Sequence, residues 1–360
     1  MKRVIFFAKH MDLGGLEKSL LTLLNRLDHT QYRVTLVLEE KRGALLPQLD
    51  PRVQVKEYRL SDCPIRPVRR AQNLFKRLIW SARSRNAYDF SCAYCTYSVI
   101  GSYLAQAASE NSCLYVHNDY SRILPNEAEF RSFFDTLRAA KFRSVVFVSN
   151  ESRDAFAARY ALAPERLHVI NNLIDGDAVR ALAAQPCPVP DEPGTVTFLF
   201  VGRLDENQKR ISRMLEGFCS AVRQRSDLRL LIVGDGPDRA DCERRSQELG
   251  LSGRVMFFGA QENPYPFFSA ADCLVLTSDY EGFPVVYYEA MALGLDILTT
   301  VPVSDEQVDI SECAVIAAPD AAAVGAAMAA YQPRRHPPFD LTEANDRRLK
   351  MLAALIDCGS

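Results

Sequence analysis

Net charge is almost absent from this chain of 360 residues: 43 Lys and Arg stand against 45 Asp and Glu, leaving -2. Nothing in that balance draws it as a whole toward nucleic acid. Apolar runs of membrane-span length are missing too. The amino terminus, Met1 to His10, begins with basic residues, but its apolar core is too short for a secretory signal and runs on into a Gly-rich turn. It reads as a first strand, and the expected compartment is the cytoplasm. The lone Cys92-Ala93-Tyr94-Cys95 lacks the second pair that a structural zinc would require. Ten cysteines in a chain neither small nor visibly exported read as reduced thiols. Cys113, Cys219 and Cys273 sit in apolar surroundings, where cysteine acts as a small hydrophobe. Acid is missing between Cys63 and Tyr88, a stretch that holds Arg66, Arg69, Arg70, Lys76, Arg77, Arg83 and Arg85. Leu74, Phe75, Leu78 and Ile79, with Trp80 adjacent, give it an apolar stripe. Such a helix is either the solvated face of a packed element or a surface for an anionic membrane.

What remains is ordinary and globular, 48% hydrophobic and 24% charged. The length favours two domains. Apolar runs alternate with helical patterns through the first half: Val4–Ala8, Arg33–Leu38, Val53–Tyr58, Phe90–Tyr94, Cys113–His117, Ser144–Ser149 and His168–Ile170 read as strands. Helices are expected over Glu17–Leu27 and Ser98–Ala108. The second half repeats the scheme with strands at Thr195–Val201, Arg229–Val233, Arg254–Phe258, Cys273–Leu276 and Asp296–Thr299, and helices near Ile211–Arg225, Arg239–Leu249 and Pro284–Leu293. Alternation of this kind implies right-handed crossovers and one parallel sheet per half. Residues 183–194 hold four prolines and a glycine and read as a linker. The expected division is therefore 1–182, a linker, 195–338, and a helical tail over 339–360.

The most informative segment runs from Ser278 to Gly294. Glu281 and Glu289 lie eight positions apart around a Gly282-Phe283-Pro284 turn, directly after the apolar run Cys273–Leu276. The order is strand, tight turn, helix, with Pro284 fitting the first helical position. Free amides of the turn, Val285 included, and the positive end of the helix dipole suit a phosphate. Both carboxylates can face one ligand, Glu281 beside a sugar and Glu289 beside a ribose.

This segment resembles the E-x7-E signature of retaining glycosyltransferases of the GT-B fold, glycosyltransferase family 4 in particular. Two further segments resemble that family: Phe198-Leu199-Phe200-Val201-Gly202-Arg203-Leu204 followed by Lys209, and the loop Gly14-Gly15-Leu16-Glu17 after the first strand. The motifs keep the family's order from Lys2 to about Thr300. The resemblance implies two Rossmann-like domains facing a central cleft. The amino-terminal domain would take the acceptor, the carboxy-terminal domain a nucleotide-sugar donor. It assigns Arg203 and Lys209 to the charge on the leaving diphosphate in place of a metal, so that no cofactor or metal is expected. The loop is one residue longer than the commonest spacing, which leaves Arg210 beside Lys209 as a candidate for that position. Glu281 would contact the donor sugar, His117 would stand near it at a strand end, and Glu289 would take the ribose. Gly14 and Gly15 would let a ligand approach the backbone, and Gly259 and Gln261 would supply contacts to the base. A last helix would pack back on the first domain.

Other motifs carry less. Gly234-Asp235-Gly236 begins like a dinucleotide fingerprint, but Arg239 holds the third glycine's place, so NAD is not expected. Asp175-Gly176-Asp177 spells a metal motif outside the context that motif needs. Leu295-Asp296-Ile297 departs from the family pattern, and Val303–Gln307 has no counterpart in it. The expected function is transfer of a sugar to a hydroxyl of a saccharide or lipid-linked acceptor, in building a cell-surface polysaccharide or glycolipid. Peripheral membrane contact through residues 66–85 would suit such an acceptor. The alternatives are a nucleotide-sugar-binding regulator without turnover and an epimerase or phosphorylase of the same fold.

Overall fold

A computed structural model describes residues 1–190, 192–301, 305 and 308–358. Contacts divide the chain into two units, Met1–Leu173 with Asn345–Ser360, and Ile174–Ala344. The first change of unit thus falls at Leu173/Ile174 instead of at 183–194. The helix Gly176–Ala183, expected with the first half, goes with the second: Gly176 lies beside Ala292, and Asn263 and Ser269 donate to the carbonyls of Leu182 and Ala183.

Unit one is a seven-stranded sheet: β1 (Lys2–Ala8), β2 (Tyr32–Leu38), β3 (Gln54–Glu57), β4 (Phe90–Ala93), β5 (Ser112–Val116), β6 (Ser144–Phe147) and β7 (Leu167–Val169). The order is β3-β2-β1-β4-β5-β6-β7, and every pair is parallel. Parallel strands are covered on both faces and so read as unbroken apolar runs; Val4 to Phe7 are all buried. The tail belongs here. Asn111 donates to the carbonyls of Leu355 and Ile356, Arg348 to that of Asn172, and Lys2 pairs with Asp357.

Unit two is a six-stranded parallel sheet of β8 (Val196–Val201), β9 (Leu228–Val233), β10 (Val255–Gly259), β11 (Cys273–Leu276), β12 (Asp296–Thr299) and β13 (Ala314–Ile316), ordered β10-β9-β8-β11-β12-β13. Among the elements that went unread in the sequence are the edge strand β13 and the alanine-rich helix Ala321–Ala330. That helix crosses Ile211–Val222 where Gly217 meets Gly325; a Cβ on Gly325 would lie 2.7 Å from the Gly217 carbonyl oxygen. Only a pair of glycines permits that approach.

Strand order fixes where a ligand can sit. In each sheet the chain winds outward in both directions from a central pair, β1/β4 in unit one and β8/β11 in unit two. Neighbouring loops diverge above the carboxyl ends of such a pair and leave a crevice. Gly14 and Gly15 follow β1, whereas Arg203 follows β8 and Glu281 follows β11.

All ten cysteines are free thiols, including Cys92 and Cys95. Among the described residues no helix is long and apolar enough to cross a membrane.

Candidate active site

In unit two the loop after β8 is held from beneath by glycines. A Cβ on Gly234 would collide with the carbonyl oxygen of Gly202, and one on Gly236 with that of Leu204. Leu204 N donates to Asp235 O and Asp238 N to Leu204 O, so the two loops lie flat together. The glycines that resemble a dinucleotide fingerprint therefore shape the seat of Arg203. Its guanidinium is 63% exposed and pairs with Asp205 Oδ2 at 2.7 Å.

Lys209 ends the short helix Glu206–Lys209, capped by Asp205. Arg210 then takes a left-handed conformation, φ 51° and ψ 52°. That conformation costs a residue with a side chain roughly 1–3 kcal/mol and persists only where surroundings enforce it. Here they do. Thr277 donates to the carbonyls of Lys209 and Arg210, while Asp279 N donates to Gln208 O. Arg210 Nε and Arg213 Nη2 both donate to Asp279, at 2.5 and 2.7 Å. Burial works to raise the Asp279 pKa, but these two guanidinium bonds together hold it below the usual aspartate value. The sharp turn sends the neighbouring side chains apart. Arg210 is occupied by Asp279, and Lys209 Nζ reaches Glu281 Oε1 at 2.7 Å.

Glu281 is correspondingly enclosed, its side chain 8% exposed, and it also accepts from Ser278 Oγ at 2.5 Å. Tyr280, next in chain, registers the surrounding charge. Burial raises its pKa first, the Asp205 and Glu281 carboxylates add to that, and Arg203 opposes them. Arg203, Lys209 and Glu281 thus gather over the carboxyl ends of β8 and β11.

Pro284 is not the first helical residue. It is the N-cap, with φ -76° and ψ 88°, and the helix spans Val285–Ala292. Gly282, Phe283 and Pro284 are buried, and Phe283 stacks on Tyr288 with ring centroids 4.4 Å apart. Glu289 is 4% exposed and accepts from Tyr265 Oη at 2.7 Å. Burial first, then the adjacent carboxylate, pushes the Tyr265 pKa far up, so its hydroxyl stays a donor. Tyr265 has no sequence signal, being 24 positions from its partner. Gly259, at φ +68°, lies close to Arg239, and Gln261 Nε2 folds back onto Phe258 O at 2.7 Å.

Unit one offers its own set. Gly14 is the N-cap of the helix Gly15–Arg26. A Cβ there would collide with Glu17 Oε2, so the glycine makes room for that carboxylate, whereas nothing lies within 4 Å of a Cβ on Gly15. Of the two glycines, Gly15 is the one open to approach. Glu17 is buried and accepts from Tyr97 Oη at 2.6 Å.

His117, expected at a strand end near the donor sugar, is enclosed: the residue is 8% exposed, its ring stacked on Tyr115 at 4.7 Å and leaning on Tyr94 at 4.5 Å. Among the described residues neither ring nitrogen has a partner of hydrogen-bond geometry. Burial pulls its pKa down to about 3, outweighing the Tyr94 backbone and the Asn172 side chain, which favour the charged ring. The imidazole is neutral.

Between its folded pKa of about 3 and the ordinary value near 6.5, an unfolded His117 binds a proton that the folded one refuses. Stability therefore falls as pH drops through that window, by about 2 kcal/mol at pH 5 from this residue. Denaturant unfolding at pH 8 and pH 5 tests this. His117→Phe is expected to lose less on acidification than the parent, and an equal loss in both would refute the claim.

Two parallel-sheet Rossmann-like domains, each with its loops gathered over a central strand pair, define the class: this is the GT-B fold. Two family descriptions match, "Glycosyl transferases group 1" over residues 195–331 and "Glycosyltransferase Family 4" over residues 13–178. Together they take in most of the chain, which belongs to the family 4 type of glycosyltransferase. The lipopolysaccharide 1,6-galactosyltransferase of Escherichia coli K12 is 34% identical over 117 residues, 31% of this chain and 32% of its own length. An N-acetylgalactosaminyltransferase of Campylobacter jejuni that acts on a diphospho-undecaprenol substrate is 23% identical over 189 residues, 52% of this chain and 48% of its own. The chain thus spans about a third to a half of the length of these relatives. Among solved structures, Anabaena HepE in complex with UDP and glucose superposes with a TM-score of 0.73 at 17% identity, over 98% of this chain and 100% of its own. That likeness is one of fold.

Proposed function

We propose that the chain is a retaining, metal-independent glycosyltransferase, moving a sugar from a nucleoside diphosphate to a saccharide or lipid-linked hydroxyl. One observation carries the reading: Arg203, Lys209 and Glu281 converge where β8 and β11 part. Cleaving the donor's glycosidic bond leaves a diphosphate whose oxygens gain negative charge, and fixed cations stabilise that charge without reorganising. An ammonium has three N–H donors. Lys209 spends one on Glu281, which leaves two for phosphate oxygens. Arg203, exposed and ion-paired to Asp205, supplies a planar fork suited to phosphate. Glu281 takes the sugar's hydroxyls, and the backbone N–H groups of Gly282, Phe283 and Val285 take the remaining phosphate, Pro284 having none to give. Retention of anomeric configuration rests on the E-x7-E resemblance.

Glu289, on the next helix, binds the ribose. Its carboxylate is already anchored by Tyr265, so its position is set before the nucleotide arrives. Glu289→Ala is expected to raise the dissociation constant for the nucleoside diphosphate about 10- to 100-fold, the worth of charged hydrogen bonds. Calorimetry gives the answer directly, and an unaltered constant removes the ribose assignment.

Unit one presents the acceptor, and Gly15 after β1 leaves its backbone open to a ligand. The relatives' lipopolysaccharide and undecaprenol-linked substrates support a cell-surface polysaccharide or glycolipid as product. The residues 66–85 support work at the cytoplasmic face of a membrane, held peripherally. UDP is the first nucleotide to try, since HepE was crystallised with it.

The test is donor consumption with and without candidate acceptors, each repeated with excess EDTA, after a thermal-shift panel of nucleoside diphosphates and their sugars has chosen the donor. Turnover that survives EDTA, and a product of unchanged anomeric configuration, are expected. Binding without turnover across a broad acceptor set would favour a regulator. Loss of turnover in EDTA, restored by magnesium or manganese, would overturn the metal-independent assignment.

A further inference from the structure

The basic helix Arg66–Ser84 packs on unit one by one side only. Trp80 lies edge-on to Phe7 and Tyr58, its indole N–H donates to Leu104 O, and Ser81 meets the Tyr103 hydroxyl. The opposite side is apolar and uncovered. At 3.6 residues per turn, Val68, Ala71, Phe75, Leu78 and Ala82 form one stripe. Phe75 is 64% and Leu78 57% exposed. Apolar side chains that leave a lone helix face bare, beside a row of cations at Arg69, Lys76 and Arg83, match an element lying in a membrane interface.

Beside this helix lies a groove of about 640 Å³, wholly within unit one. Its floor is one face of the sheet edge. Arg33 and Thr35 alternate along β2, and Gln54, Lys56 and Tyr58 alternate along and just beyond β3, so the period of two brings them to the same side. Arg3 pairs in register with Arg33 and joins them. The wall is the helix, through Lys76, Ile79, Trp80 and Arg83, the i, i+3, i+4, i+7 set. Six cations therefore line the groove: Arg3, Arg33, Lys56, Arg59, Lys76 and Arg83. They face a single carboxylate, Glu57, which is engaged by the Lys41 backbone amide. Arg3, Arg33, Lys56 and Arg83 have no ion pair among the described residues. Such a collection repels itself until an anion enters.

We propose that this groove is a pocket for the phosphate headgroup of an acidic membrane phospholipid, whose acyl chains pass over Ile79 and Trp80 toward the exposed stripe. Charge decides the headgroup, and the adjoining bare apolar face decides that it belongs to a lipid. The volume falls in the range of about 300–1,000 Å³ typical of small-molecule sites. The proposal rests on the reading of residues 66–85 as the membrane contact. It goes beyond that reading by giving one class of lipid a defined seat, lined by none of the residues assigned to acceptor or donor.

Three variants of the full chain separate the two ideas. Arg33→Gln/Lys56→Gln empties the groove of two cations. Arg69→Gln/Arg70→Gln removes equal charge from the helix outside it. Phe75→Ser/Leu78→Ser strips the stripe. Each is assayed by flotation with phosphatidylcholine vesicles, with or without phosphatidylglycerol, and by the melting shift with a short-chain phosphatidylglycerol kept monomeric in solution. The parent is expected to float only with the acidic vesicles and to melt higher with the soluble lipid. Both charge variants should float less well, by about tenfold or more, because each surface cation is worth about 1 kcal/mol there. Only the groove variant should lose the melting shift, and the stripe variant should keep the shift yet fail to float. A shift lost equally in both charge variants, or matched by inorganic phosphate, would overturn the headgroup pocket and leave the membrane contact standing. Flotation of the stripe variant at the parent's level would sink the membrane contact, and the pocket with it.

Discussion

Alanine at position 203 is expected to reduce kcat about 100-fold or more, the usual result of removing one group that stabilises transition-state charge. The melting temperature should barely move. The guanidinium is largely exposed and, among the described residues, bonded only to Asp205, and substitutions at such surface sites usually change stability by less than about 0.5 kcal/mol. That combination makes the variant informative, because lost turnover cannot be ascribed to unfolding. Arg203→Lys should recover part of the rate, as a point charge without the planar fork. Steady-state kinetics with the donor chosen by thermal shift provide the measurement. A kcat equal to the parent's would remove the leaving-group role.

The second large effect concerns the enclosed pair Lys209–Glu281. Neither partner is easily spared. Lys209→Met leaves Glu281 as a buried carboxylate with only Ser278 to satisfy it. Breaking a buried pair from one side costs about 3–5 kcal/mol, and the lower figure applies where, as here, the lysine keeps some contact with water. Glu281→Gln is expected to cost less, because the amide oxygen still accepts from the ammonium. The double variant Lys209→Met/Glu281→Gln should be more stable than the two single losses predict, while turnover stays at the level of the worse single variant. Denaturant unfolding of the four proteins closes the cycle. Strict additivity would show that the two groups do not act on one another.

Much of this was legible because parallel strands announce themselves. Val4–Ala8 and Cys273–Leu276 are continuous apolar runs, and the turns that follow carry the chemistry. The E-x7-E spacing singled out Glu281 and Glu289, and the structure has the first in the turn after β11 and the second on the helix Val285–Ala292. What escaped has a common cause. Tyr265 meets Glu289, and Asp279 clamps Arg210 and Arg213, across sequence separations that no local period encodes. The choice between Lys209 and Arg210 turned on a left-handed residue at 210, which a stretch of ordinary polar side chains does not betray. His117 was read from its place at a strand end, but the Tyr94 and Tyr115 rings that cover it come from β5 and from the end of the neighbouring β4. The edge strand β13 also went unread. Asp296, the departure from family pattern at the start of β12, is fully buried and accepts from Tyr331, Arg334 and His336. It fastens the segment after the last helix of unit two.

The tail has a consequence for how the protein is made. Asn111 must wait for Leu355 and Ile356, and the Asn172 carbonyl for Arg348. On a ribosome, amino-terminal domains ordinarily fold first. Here the second unit has every strand of its sheet in hand while the first still lacks a helix made only after the whole of unit two. Nascent chains halted before Asn345 should therefore carry a protease-resistant unit two behind a unit one that is still readily cut.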